Sequence, residues 1–173
     1  MSYAVRRIAR EDMEAIRVWR NAQMPVLRQA EEISPEQQQR YFEQAIEPTF
    51  SQQEPRQVLV TLLEDDEPIG YGGLTNLDWS KGEGELSFLV APERAGDPET
   101  YERDFRAFLA LVVDGVALTD LGLRRVFTET YDIRPHHVAI LEGFGFAREG
   151  RLEARTTIDG RDVDSLMHGY VGR

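Results

Sequence analysis

Apolar residues recur every second position in some stretches of the chain and every third or fourth in others, and the switch between periods marks out the elements. Residues 3–8 read as a short strand. Met13, Ile16 and Trp19 then fall at i, i+3 and i+6 on one face of a helix that opens at Glu11 or Asp12 and stops near Asn21. Ser34-Pro35-Glu36-Gln37 combines an N-cap serine, a proline at the first helical position and a glutamine three residues after the cap. This predicts a helix over 35–46, ended by Pro48. Residues 57–63, 69–77 and 85–91 are rich in Val, Leu, Phe and Thr and are separated by Glu64-Asp65-Asp66-Glu67-Pro68 and by Ser80-Lys81-Gly82, the pattern of three antiparallel strands joined by turns. Over 98–118, Phe105, Phe108, Leu109, Val112, Val113 and Val116 repeat at three- and four-residue steps, which predicts a long helix burying one stripe. A strand over 123–131, a short helix over 135–143 and strands over 146–158 and 161–171 complete the chain, the last two joined at the hairpin dipeptide Asp159-Gly160. The order predicts a mixed α/β (α+β) fold, one predominantly antiparallel sheet of about seven strands flanked by about four helices.

The chain has 173 residues and no fixed-period repeat, low-complexity tract or Gly/Ser linker, so residues 1–173 are expected to form a single domain. Hydrophobic residues at 41% and charged residues at 29% suffice for a core. A net charge of −11 repels phosphate backbones and anionic lipid, so neither nucleic acid nor membrane is an expected partner, and the field would steer a cationic one. No apolar run reaches the ~20 residues of a membrane span, and the first ten residues lack the apolar block of a secretory signal. Cysteine is absent, which removes disulfides, thiolate nucleophiles and zinc–thiolate sites and fits a cytoplasmic location.

The sequence contains no Gly-x-x-x-x-Gly-Lys, Gly-x-Gly-x-x-Gly, His-Glu-x-x-His or Gly-x-Ser-x-Gly, so NTPase, Rossmann oxidoreductase, zincin and α/β-hydrolase chemistry lose support. With three histidines and no ligand pattern, no metal site is expected. His136 and His137 fall at a helix start and read as exposed turn residues.

Several segments then appear in a recognisable order. Trp19-Arg20-Asn21 closes the first helix, Ile69-Gly70-Tyr71-Gly72-Gly73-Leu74 lies on the third strand, and Gly84-Glu85-Leu86-Ser87-Phe88-Leu89-Val90 on the fourth. Leu121-Gly122-Leu123-Arg124-Arg125-Val126 enters the fifth, followed by Leu141-Glu142-Gly143-Phe144-Gly145-Phe146 and by Ile158-Asp159-Gly160-Arg161. In this order they resemble the Gcn5-related N-acetyltransferases (GNAT), in the branch of ribosomal-protein alanine and amino-sugar acetyltransferases. The resemblance implies acetyl-CoA as cosubstrate and direct transfer to a primary amine, carried by a small molecule, an amino-sugar or a protein N-terminus. It places Phe88, Leu89 and Val90 at the pantetheine arm and makes Glu85 the candidate general base, its basicity raised by partial burial. On the residues alone Glu85 reads equally well as a solvated strand position.

Two segments depart from that family. Where it has Arg/Gln-x-x-Gly-x-Gly/Ala for the pyrophosphate, this chain runs from Pro92 to Phe105 with a single glycine among carboxylates. Arg94, Arg103 and Arg106 could take over by charge-assisted bonds, or be surface arginines without a role. Where the family places an asparagine at the pantetheine and a tyrosine as acid, the chain has Arg134 and Leu141, leaving Tyr131 as the nearest proton donor. Trp19, Arg20 and Asn21 are candidates for the acceptor wall, although a tryptophan on an apolar face reads as core and Asn21 as a helix cap. These departures keep a second reading open, a binding or scaffolding protein that retains the fold without the CoA site. A homodimer is the default assembly for a soluble enzyme.

Overall fold

The computed structural model describes residues 1–172. Its strands are β1 (Tyr3–Arg7), β2 (Val58–Glu64), β3 (Glu67–Asp78), β4 (Glu83–Val90), β5 (Arg125–Tyr131), β6 (Ala147–Ile158) and β7 (Arg161–Val171). They form one sheet in the order β1-β2-β3-β4-β5-β7-β6. Every neighbouring pair is antiparallel except β4 and β5, which are joined by a helical crossover, as a parallel pair must be. The hairpin at Asp159-Gly160 has positive φ at both residues, 50° and 74°, the handedness that matches strand twist.

The helices are α1 (Met13–Ala22), α2 (Pro35–Tyr41), a single turn α3 (Pro92–Ala95), α4 (Pro98–Leu109) and α5 (Pro135–Phe144). The predicted cap of α2 is present in both directions: Gln37 N–H donates to Ser34 Oγ at 3.1 Å and Ser34 N–H to Gln37 Oε1 at 2.8 Å. Past Tyr41 and past Leu109 the same helices continue in wider, π-type turns to Ile46 and Asp120. The short α3 was not foreseen, and it lies in the segment that departs from the family.

Strand alternation sends side chains to two cores. Leu59, Tyr71 and Leu89 meet Ile8, Met13, Ile16, Phe42 and Ile46 under α1 and α2. Val60, Leu62, Leu74, Leu86, Phe88 and Val90 meet Phe105, Phe108, Leu109, Val112 and Val113 of the long helix on the other face. Gly72 lets β3 pair closely with β4 and the long helix pack on the sheet, since a Cβ there would stand 2.0 Å from Ser87 O and 2.8 Å from the Phe108 ring.

Candidate active site

The parallel pairing of β4 and β5 lasts for only Glu83↔Arg125, Gly84↔Val126 and Glu85↔Phe127. Beyond it the strands part, β4 staying with β3 and β5 with β7. Ala91 N–H bonds Ile69 C=O at 2.9 Å. Because pairing alternates along an antiparallel ladder, the backbone groups of Ser87 and Leu89 point to β3 and those of Phe88 and Val90 into the gap. Gln23 Nε2 donates to Val90 C=O at 2.8 Å across the gap's edge. A cavity of about 220 Å³ fills the opening, lined by residues of both strands.

On the α1/α2 side of the sheet the cavity meets two buried carboxylates, Glu85 of β4 and Glu129 of β5. Arg28, from the segment joining α1 to α2, bridges them: it donates to Glu85 Oε1 and, at 3.2 Å, to Glu129 Oε2. Asn76 Nδ2 holds Glu85 Oε2 at 2.6 Å. Arg155 and Ser165 donate to Glu129 Oε1 at 2.7 and 2.8 Å. Burial pushes the Glu129 carboxyl up, but the bonds from Ser165 and Arg155 and the charge of Arg28 outweigh it and hold Glu129 below the ordinary carboxylate value. Two carboxylates thus face two arginines, and this wall is close to neutral.

The opposite side of the gap is closed by a clasp between the starts of α4 and α5. Arg134 Nη2 donates to Tyr101 Oη at 2.8 Å, and Tyr101 Oη lies 2.7 Å from His137 Nδ1. A guanidinium can only donate, so Tyr101 Oη accepts from Arg134 and keeps its own proton, which it can give to His137 Nδ1 when that nitrogen is the bare one. Burial, with Arg134 beside it, depresses His137 well below the usual histidine value, as a neutral ring requires. Burial likewise lifts the Tyr101 phenol to about 12. Phe105 stacks on His137 at 4.4 Å and on Phe88 at 4.5 Å. His137 is therefore buried rather than an exposed turn residue, because α5 packs its first turn on α4; His136 remains exposed.

The other predicted residues divide. Glu85, Phe88, Tyr131, Arg134 and Arg20 line the cavity, and Val90 faces the gap through its backbone. Leu89 turns its backbone to β3 and its side chain into the core. Arg94 points inward, donating to Asp104 at 2.6 and 2.7 Å and pairing with Glu64 at 2.9 Å, because the short α3 turns it towards β2. Arg106 bonds Glu102 and Arg103 reaches Thr100, each within α4. Trp19 packs on the α1/α2 core. Asn21 clamps the backbone of Ile33 with two bonds of 2.9 Å. Arg28, Glu129, Tyr101 and His137 were not foreseen as site residues. Of these only Glu129 carried a signal, sharing the strand face of Phe127 and Tyr131 by period two.

A second cavity, of about 510 Å³, lies between α1, α2 and the sheet and shares Arg20, Thr75 and Ser87 with the first. Ile8, Met13, Ile16, Ile46, Leu59 and Tyr71 form its apolar floor.

A family model described as Acetyltransferase (GNAT) domain matches residues 5–167. Among solved structures, spermidine N-acetyltransferase from Vibrio cholerae in complex with CoA and spermine is similar with a TM-score of 0.82 and 19% identity, over 98% of this chain and 95% of that one. A chimera of the same enzyme, SpeG, with hSSAT gives 0.81 and 18% over 99% and 96%. The dodecameric SpeG structure from V. cholerae in an intermediate state gives 0.75 and 18% over 98% and 93%. No curated protein matches. At these identities the structural likeness speaks to the fold, and the architecture expected from the sequence is the one found.

Proposed function

Because the chain belongs to the GNAT acetyltransferase family, whose enzymes use acetyl-CoA to acetylate amines, we propose that the transfer takes place in the β4–β5 gap, with a primary amine arriving from the α1/α2 side. The observation that carries this is the parting of β4 and β5 between a carboxylate-bearing wall and a second cavity continuous with the gap. The gap fits the thioester arm: the Phe88 backbone turned into it is a ready partner for an extended amide chain and for a polarised carbonyl.

The start of α4 does not fit the pyrophosphate as the family holds it. Pro98 has no N–H, and Asp97 brings a carboxylate to the helix start, where Thr100 Oγ donates to it at 2.6 Å. That end therefore depends on side chains, of which Arg134 beside the gap has no carboxylate partner among the described residues.

In the transfer the amine nitrogen bonds the acetyl carbon, the carbon–sulfur bond breaks, and one proton leaves nitrogen while another reaches sulfur. Glu85 receives the first: its oxygens are held by Arg28 and Asn76, and each retains a lone pair. Tyr131, a residue of the same cavity lining, supplies the second from its hydroxyl and is reprotonated through solvent. Glu129 is held ionised by Ser165, Arg155 and Arg28, below the ordinary carboxylate value, which suits it poorly to taking the proton.

Thermal melting of the purified chain with acetyl-CoA, ADP or pantetheine tests this, since selective binding to the native state raises the midpoint by mass action. An upward shift with acetyl-CoA, together with amine-dependent release of free CoA, is the expected result. The clasp of Tyr101, His137 and Arg134 favours a second reading, a binding protein whose donor channel is closed. No shift at millimolar acetyl-CoA would select it.

A further inference from the structure

Arg20 is the cation that joins the two cavities. Its Nη1 donates to Tyr71 Oη at 2.6 Å and its Nε to Gln29 Oε1 at 3.0 Å, both neutral acceptors. Among the described residues no carboxylate lies within ion-pair distance of it, although the chain carries a net charge of −11. Most other arginines near the gap are matched: Arg28 and Arg155 answer Glu85 and Glu129. The carboxylate wall is thus already neutralised, and the junction between the cavities keeps one uncompensated positive charge. This half-buried guanidinium still has both N–H groups of Nη2 and one of Nη1 to give, donors suited to a carboxylate. Tyr71 adds a donor, because a hydroxyl accepting from Arg20 still has its own proton to give.

Beside this anion site lies the apolar floor of Ile8, Met13, Ile16, Ile46 and Leu59, in a cavity whose 510 Å³ is of small-molecule size. Glu31 and Glu32 also line this cavity; both are exposed, and neither forms an ion pair with Arg20.

Resting on the proposed function above, we infer that the acceptor is a free α-amino acid with a large apolar side chain. Its carboxylate lies on Arg20 and Tyr71, its side chain in the second cavity, and its α-amine at the gap beside Glu85. The α-carbon carries all three groups, and Arg20, Thr75 and Ser87 are where the two cavities meet. The transfer is balanced as before, the α-nitrogen gaining the acetyl group and losing a proton to Glu85. A polyamine would place a cation against Arg20. A protein N-terminus would offer an amide where the site offers a charge for a carboxylate.

Binding is measured by calorimetry on the full chain, without acetyl-CoA, using leucine, methionine and phenylalanine. The comparison ligands are 2-phenylethylamine, phenylalanine amide and spermidine. The amino acids are expected to bind, and loss of the carboxylate, or Arg20→Gln, to weaken binding roughly 10- to 100-fold, the worth of charged hydrogen bonds. Arg20→Lys should restore part of the affinity by charge without the fork. Tyr71→Phe, which keeps the ring in the core, gives a smaller loss and guards against a folding defect in Arg20→Gln, whose melting point is read alongside. The inference is overturned if phenylethylamine or spermidine binds as well as the amino acids, if a correctly folded Arg20→Gln binds them unchanged, or if none binds at millimolar concentration. Since these readouts need no cosubstrate, amino-acid binding without any effect of acetyl-CoA would sink the transferase reading alone.

Discussion

The inward turn of Arg94 separates a structural arginine from a phosphate-binding one. Its partner Asp104 is fully buried, receives two bonds from Arg94 and accepts a third from Tyr3 Oη at 2.7 Å. Glu64, also largely buried, pairs with Arg94 at 2.9 Å. The cluster therefore holds two carboxylates against one guanidinium, and the two substitutions are unequal. Asp104→Asn leaves a one-to-one pair of Arg94 with Glu64 and loses charge-assisted bonds, a cost of about 1.5–3 kcal/mol. Arg94→Met leaves two buried carboxylates facing each other, and removing the lone partner of buried charge costs about 3–5 kcal/mol. For a domain of this size that is a fall in melting temperature of roughly 6–20 °C. The double variant Arg94→Met/Asp104→Asn should lose less than the sum of the two singles, since the hydrogen bonds joining these two residues are already lost in either single. Melting followed by circular dichroism gives the order, and the KM for acetyl-CoA is measured on the same preparations. An Arg94→Met variant that melts like the parent but raises that KM would refute this reasoning and return Arg94 to the cosubstrate. An Asp104→Asn variant costing more than Arg94→Met would refute the charge count.

Other expectations are more compact. Glu85→Gln should lower kcat by ~10²–10⁴, the usual worth of a positioned base, with the melting shift by acetyl-CoA retained; undiminished turnover would remove Glu85 from that role. Burial holds His137 neutral when folded, its pKa pushed well below the usual histidine value of 6.5, so below about pH 6.5 the unfolded chain binds a proton that the folded chain refuses. Stability is therefore fully present above that pH and falls by up to about 1.4 kcal/mol per unit as pH drops towards the folded pKa. Urea titrations in mildly acidic buffer should show this slope, and His137→Asn should flatten it; a parental slope in the variant assigns the effect elsewhere. Gly72→Ala should fail to accumulate as folded protein, because its Cβ would meet the Ser87 carbonyl of the neighbouring strand at 2.0 Å, and an ordinary melting point would mean β3 and β4 are not so closely paired there. Ser34→Ala should cost about 1 kcal/mol through loss of the α2 cap, read as a shifted urea midpoint.

What the sequence determined by itself was local. The period of two in 85–91, the three- and four-residue steps from Phe105 to Val116, the Ser34 cap and the Asp159-Gly160 turn each depend on neighbours a few residues apart, and each is found where expected. Those elements, together with the segments around Gly70, Glu85, Arg124 and Gly145 in their order, carried the resemblance to the family, and the resemblance implied a pantetheine site at Phe88 and a carboxylate at Glu85. Tertiary structure alone decided how charges were matched. Arg28 lies 57 residues from Glu85 and 101 from Glu129, and Tyr101 lies 36 from His137, separations at which periodicity carries no information. Arg94 and Arg20 look alike in the sequence. The fold surrounds one with buried carboxylates and gives the other only neutral partners between two cavities, because the partner of a charge is set by which elements the sheet brings together, not by the residues beside it in the chain.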